Sequence, residues 1–190
     1  MLRMIAEELS LVMVANKIIP IENRKYYIYG IELVLNNVLI CLGIIALAII
    51  TKTILISIIF SLSFCILRAY VGGYHSNTYL KCFCISVINY IIMLILNQTA
   101  EYKLILSCVL IGISVPIIIK FAPVEHENKP LSNEQKKKYK KVSILIISII
   151  TASFVISCVF SRLDISFAIS WAVFGVFFLL LFSKIHYEQR

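Results

Sequence analysis

The sequence has 190 residues, of which 61% are apolar and 15% are charged, and its formal net charge is +8. A soluble globular domain is about half apolar and about a quarter charged, so this composition indicates an integral membrane protein. It excludes a disordered chain and a secreted disulfide scaffold. It also argues against a nucleic-acid-binding protein, because the Lys and Arg residues lie between long apolar runs rather than on one polar surface.

The N-terminal segment, residues 1–28, is amphipathic. Apolar residues recur at spacings of three and four from Leu2 onward, and Glu7 and Glu8 are set off from them, which predicts a helix with one apolar face. Such a helix either lies at the membrane interface or packs on the protein as a terminal helix. The two early Glu residues and the missing cleavage site argue against a cleavable signal peptide.

Six apolar segments follow, and each is near the ~20 residues that a helix needs to cross the hydrocarbon core. Their approximate bounds are 31–50, 54–71, 80–97, 104–121, 143–160 and 165–183. A lone strand would leave its backbone polar groups unpaired in lipid, so helices are expected despite the many Ile and Val residues. The predicted fold is an all-α integral membrane protein, with six transmembrane helices in 31–183 and an N-terminal amphipathic interfacial helix, in a single domain over 1–190.

The distribution of Lys and Arg predicts the orientation of these spans. Of the 18 basic residues, 15 lie in the N-terminal segment, in the connections after spans two and four, and at the C-terminus. The other three are Lys52, Lys103 and Arg162. Because cytoplasmic connections carry the excess of basic residues, both termini are expected in the cytoplasm.

The stretch from Arg68 to Cys82 is the polar exception in the chain. His75 and Cys82 are seven residues apart and suggest a general base and a thiol nucleophile, since a nearby imidazole raises the thiolate fraction. On one continuous helix the two residues would be about 10.5 Å apart along the axis, which is too far for a hydrogen bond. A catalytic pair therefore requires a break between them.

The sequence predicts such a break. Gly72 and Gly73 permit backbone angles that end a helix, and residues 76–78 (Ser-Asn-Thr) are good N-cap residues for the next one. A helix that starts near residue 77 or 78 places Cys82 just past its first turn. From spacing alone, His75 and Cys82 remain open to either a catalytic or a purely structural interpretation.

The remaining Cys and His residues favour structural roles. Cys84 is about 200° around the helix from Cys82, so the two cannot face one site. Single cysteines inside membrane helices are usually small apolar packing residues, which is the expectation for Cys41, Cys65, Cys108 and Cys158. No zinc-ligand spacing is present, and His126 and His186 are expected in solvent.

The motif from Arg68 through Gly72-Gly73-Tyr74-His75 to Cys82 resembles the signature of the AgrB family. The segment that runs from Ala122-Pro123 to Lys129-Pro130-Leu131 resembles a cytoplasmic loop of the same family. The length, the six spans and the basic connection after span four are similar as well. The resemblance extends over essentially the whole chain.

This resemblance implies a membrane cysteine endopeptidase that cleaves a small quorum-sensing precursor, AgrD, on its C-terminal side. His75 would be the general base, and Cys82 the nucleophile that forms a thioester and passes the peptide on as a thiolactone or lactone. It implies a bacterial plasma-membrane location and a homodimer. The excess of basic residues places the active-site segment on the cytoplasmic side, and no metal, cofactor or nucleic acid is expected. The alternative function is a non-catalytic membrane transporter or scaffold.

The other candidate residues carry two interpretations each. Arg68 could bind the acidic tail of the precursor or a developing oxyanion, or it could be a positive-inside anchor. Ser86 lies on the same helical face as Cys82 and could support the site or pack between helices. By resemblance, Gly72 and Gly73 shape the backbone, and Lys129 and Pro130, with Glu125, belong to the second loop.

Two further features of the sequence also have two interpretations each. The basic cluster Lys136–Lys141 could hold the acidic precursor tail or contact anionic lipid. Glu32 is an ionisable residue at the entry to span one, so it is a weak site candidate, although snorkelling to the interface explains it equally well.

Overall fold

The computed structural model describes residues 2–72, 79–124 and 132–188. In these ranges the chain forms seven α-helices and no strand. Their bounds are α1 Leu2–Ala15, α2 Arg24–Thr51, α3 Ile54–Val71, α4 Tyr79–Thr99, α5 Lys103–Phe121, α6 Asn133–Val159 and α7 Leu163–Glu188. Helices α2 to α7 are long and apolar enough to cross a membrane. The predicted all-α, six-span fold is confirmed, and the chain is a multi-pass membrane protein.

Two spans begin earlier than the apolar pattern predicts. Helix α2 starts at Arg24, and α6 starts at Asn133, ten residues before the predicted start of span five. The start of α6 is fixed by a capping box, in which the Ser132 side chain accepts from the Gln135 N–H and the Gln135 side chain accepts from the Ser132 N–H. The basic cluster Lys136–Lys141 is therefore helical.

Helix α1 docks on the start of α2. Arg24 donates from Nε to Ser10 Oγ at 3.1 Å and from Nη2 to the Glu7 carbonyl at 3.3 Å, and Ser10 is fully buried. On the other side of α1, apolar side chains that include Leu9 and Val12 remain exposed. One edge of α1 thus packs on the protein, and its apolar face stays exposed, as in an interfacial helix.

Helix α7 is the central helix of the described bundle. It packs against α3, α4, α5 and α6. In its most apolar 18-residue window 67% of the residues are buried, against at most 33% in the other spans. Small residues such as Ala168, Ala172 and Gly175 recur along it, and small side chains let membrane helices approach closely. Helices α3 and α5 therefore make their most extensive contacts with α7.

Buried polar side chains tie particular helices together. Ser57 of α3 hydrogen-bonds to Tyr90 of α4, and Ser157 of α6 to Ser166 of α7. Trp171 of α7 donates from Nε1 to the Asn89 side-chain oxygen of α4 at 3.0 Å. Interhelical hydrogen bonds of this kind help to fix helix rotation within a bilayer. They set which faces of α3, α4 and α7 meet beside the candidate site.

Candidate active site

Cys82 lies at the start of α4. The helix begins at Tyr79, so Cys82 is its fourth residue, close to the predicted position just past the first turn. Its side chain is buried, whereas Cys84 is exposed. The prediction that these two cysteines face different environments is confirmed.

The side chain of Arg68 bridges α3 and α4. Its Nη2 donates to Cys82 Sγ at 3.3 Å, and its Nη1 donates to Ser86 Oγ at 3.4 Å. Its guanidinium carbon lies 5.7 Å from the ring centroid of Phe64, within the range of a cation–π contact. Cys82 and Ser86 are one helical turn apart, so the planar fork of the guanidinium spans both on one face of α4.

Arg68 is 7% exposed, and this burial separates the two interpretations of the residue. An arginine that serves only as a positive-inside anchor keeps its charged end in water or among lipid headgroups. Here the guanidinium is turned into the protein and toward the thiol. The contact between Arg68 and Cys82 was not predicted from the sequence.

The predicted end of the helix at Gly72 is also present. Helix α3 ends at Val71, and Gly72 has φ +76°, in the region that favours glycine. A continuous helix through to Cys82 is thereby excluded. A Cβ at residue 72 would lie 2.5 Å from the carbonyl oxygen of Val124, so a side chain cannot be accommodated there without a backbone shift.

The segment after α5 meets the end of α3 at this glycine. The Val124 N–H donates to the Val71 carbonyl at 3.0 Å, while the Val124 carbonyl oxygen lies against Gly72. Val124 belongs to the second sequence motif, which begins at Ala122-Pro123 and is remote in sequence from Arg68. The described parts of the two motifs are therefore in direct backbone contact.

The basic cluster lies at the same end of the bundle. Tyr139, within Lys136–Lys141, has its ring centroid 5.8 Å from that of Tyr70, two residues after Arg68. Four of the five lysines in the cluster are exposed. The positive surface of α6 is thus adjacent to the end of α3 that carries Arg68.

Several predicted site residues lie outside the described residues. They are His75 and Gly73 in the first motif, and Glu125, Lys129 and Pro130 in the second. His126 and the side chain of His186 also lie outside. The pairing of His75 with Cys82 therefore remains a prediction.

The other sequence candidates show mixed environments. Glu32 on α2 is 6% exposed, which places its side chain among protein atoms rather than at an interface. Cys41, Cys65 and Cys158 are half-buried and Cys108 is exposed, and none of them forms a disulfide. Within the described ranges, no three His, Cys, Asp or Glu side chains are grouped so that they could hold a metal ion.

The model of the family described as Accessory gene regulator B matches residues 6–183 of the chain. The chain belongs to the AgrB family. AgrB membership associates it with accessory gene regulation, a quorum-sensing system. No solved structure matches the chain.

Curated AgrB relatives come from several bacteria. Putative AgrB-like protein 1 of Clostridium perfringens is 32% identical over 151 residues, which cover 78% of this chain and 79% of the relative. Putative AgrB-like protein 2 of the same organism is 29% identical over 67% of this chain. Accessory gene regulator protein B of Staphylococcus epidermidis is 29% identical over 64% of this chain and 66% of its own length. The match covers 64% of the length of the C. perfringens protein 2.

Proposed function

We propose that this AgrB-family chain is a membrane-embedded cysteine endopeptidase, which cleaves a small AgrD-like precursor peptide on its C-terminal side and supports closure of the peptide ring. The observation that carries the proposal is the position of the Arg68 guanidinium, which is buried and contacts both Cys82 and Ser86. A thiol that only fills space between helices does not require a cationic partner.

The proposed reaction begins at the sulfur of Cys82. His75 accepts the thiol proton while the sulfur attacks the carbonyl carbon of the scissile bond, giving a tetrahedral intermediate. The C–N bond then breaks, His75 returns the proton to the leaving amine, and the C-terminal tail is released. The remaining peptide is held on Cys82 as a thioester. A thiol within the precursor displaces Cys82 to give a thiolactone, and a hydroxyl would give a lactone.

Arg68 has two roles in this mechanism. The thiolate is the reactive form of cysteine, and a neighbouring guanidinium stabilises the negative charge on its sulfur. Once the sulfur attacks, the negative charge moves to the carbonyl oxygen of the substrate. The guanidinium N–H groups of Arg68 can then donate hydrogen bonds to this oxyanion. The proximity of Arg68 to Cys82 supports these roles over binding of the remote acidic tail.

The basic cluster Lys136–Lys141 is the better candidate for that tail. It lies beside the end of α3 through the contact of Tyr139 with Tyr70, and most of its lysines are exposed. Anionic lipid is the other ligand that this charge fits. In the proposal, the cluster and Cys82 lie on the cytoplasmic side of the bacterial plasma membrane, and the protein acts as a homodimer.

Co-expression with the cognate precursor tests the proposal. Cys82→Ala and His75→Ala are each expected to abolish release of the precursor tail, measured by mass spectrometry, while the protein still accumulates in membranes. Cys84→Ala is the matched control, because Cys84 is exposed two residues away, and it should cleave as the unmodified chain does. Normal cleavage by Cys82→Ala would instead favour the transporter or scaffold alternative.

A further inference from the structure

A cavity of about 300 Å³ lies between α3, α4 and α7, directly beside the candidate site. Its wall includes Phe64 of α3, Ser86 and Asn89 of α4, and Gly175 and Phe178 of α7. The volume is at the lower end of the range for ligand pockets in proteins. It suits a single large side chain rather than a whole helix.

The cavity shares two residues with the contacts of Arg68. Ser86 accepts a hydrogen bond from the Arg68 guanidinium and also lines the cavity. The ring of Phe64 packs against the same guanidinium and forms another part of the cavity wall. Ser86 follows Cys82 by one turn of α4, about 6 Å along the helix axis. A residue whose carbonyl carbon lies at Cys82 Sγ therefore has the cavity within reach of its side chain.

The wall of the cavity is apolar apart from Ser86 and Asn89. Because the Trp171 indole N–H can only donate, its bond to Asn89 fixes the side-chain oxygen of Asn89 on that side. The Asn89 Nδ2 then faces Gly175. If residue 175 had a side chain, its Cβ would lie 2.8 Å from this nitrogen. No residue that the structure describes accepts a hydrogen bond from this Nδ2. The arrangement suits an apolar group with a hydrogen-bond acceptor beside it, as in a peptide residue.

We propose that this cavity is the specificity pocket for the apolar side chain of the residue that precedes the scissile bond, and that Gly175 keeps it open. The inference rests on the proposed endopeptidase function. The flanks of the cavity, Ile88 and Phe178, are 55% and 58% exposed. In a membrane these exposed flanks face lipid, so the pocket admits an apolar side chain without moving it through water.

The test uses precursors in which the residue before the scissile bond is Ala, Val, Leu or Phe. The unmodified enzyme is expected to cleave the Leu or Phe precursor at least about tenfold faster than the Ala precursor, since apolar pockets discriminate on this scale. In Gly175→Ala the new methyl group would displace Asn89 Nδ2 or the Phe64 ring at 3.2 Å. This change should reduce the preference by about tenfold.

Gly112→Ala is the matched control, because a Cβ at residue 112 of α5 meets nothing within 4 Å. It should keep the preference of the unmodified enzyme. A second variant keeps the test informative if Gly175→Ala misfolds. Phe178→Ala widens the cavity at an exposed position and should shift the substrate preference toward the Phe precursor. Its control is Phe182→Ala, one turn further along α7 and 47% exposed.

The outcomes separate this inference from the proposed function. One outcome is that Gly175→Ala and Phe178→Ala leave the ratios between the four cleavage rates unchanged, either because all four rates change by the same factor or because none changes. In that case the cavity does not select the substrate, and it holds a lipid chain or is only a gap in the helix packing. If the unmodified chain cleaves no precursor, like Cys82→Ala, the endopeptidase proposal itself is overturned, and the pocket assignment falls with it.

Discussion

The guanidinium of Arg68 donates to the sulfur of Cys82 across 3.3 Å, from the last turn of α3 to the first turns of α4. The two residues are 14 positions apart, on helices that end at Val71 and begin at Tyr79. A charged donor and a thiol are thereby held together within the protein. This contact is the basis of the first prediction.

Replacement of Arg68 should reduce precursor cleavage. Arg68→Gln is expected to lower the cleavage rate about 100-fold, the loss typical of removing one donor to a developing oxyanion. Arg68→Lys keeps the positive charge but lacks the planar guanidinium that contacts both Cys82 and Ser86. It should therefore cleave faster than Arg68→Gln but more slowly than the unmodified chain. Rates of tail release by purified protein in lipid vesicles provide the measurement.

Lys81→Gln is the control for loss of a positive charge near the site. Lys81 is exposed and adjacent in sequence to Cys82. It should retain cleavage close to that of the unmodified chain. Full activity in Arg68→Lys would show that the charge alone matters and would contradict the bidentate role.

Substitution of Gly72 should weaken the junction between the two motifs. In Gly72→Ala the backbone conformation of residue 72 (φ +76°, ψ −156°), which is essentially restricted to glycine, costs roughly 1–3 kcal/mol, and the Cβ also meets the Val124 carbonyl, a backbone group that cannot rotate away. We expect a lower melting temperature in detergent together with reduced cleavage. Gly30→Ala is the comparison, because nothing lies within 4 Å of a Cβ there and alanine favours the helix. Equal melting temperatures for the two variants would count against a close approach at Gly72.

The orientation of the chain is accessible to cysteine labelling. In a background without native cysteines, Lys52→Cys should react with a membrane-impermeant maleimide on intact cells. Lys137→Cys should react only after the membrane is permeabilised, since its connection carries the basic excess. Both lysines are exposed, so access to the thiol is not limited by burial. The reverse labelling pattern would place Cys82 on the outer side and refute the cytoplasmic site.

Much of the fold was predictable because a bilayer imposes a strong constraint. A helix of about 20 apolar residues is the simplest way to cross it, so the six spans followed from the lengths of the apolar runs alone. The end of α3 followed from the backbone freedom of Gly72, and the separation of Cys82 from Cys84 from the 100° step of a helix. Each of these features is local in sequence.

The features that were not predicted depend on how helices rotate against each other. Arg68 meets Cys82 only because α3 and α4 present particular faces, and Val124 meets Gly72 only because α5 ends beside α3. Helix α7 is apolar on all sides, so no stripe marked it as the central helix. The early start of α6 had a usable signal in the capping residues Ser132 and Gln135, but the lysines that follow interrupt any apolar pattern.

The central position of α7 has a consequence for biosynthesis. This helix follows the other five spans in chain order, so it leaves the ribosome after them. Until it is inserted, α3 and α5 lack the helix against which they pack most closely, α6 lacks one of its two main neighbours, and the wall that Gly175 supplies to the cavity is missing. The nascent protein is therefore expected to become competent late, when its final membrane helix joins the bundle, rather than when Cys82 first enters the membrane.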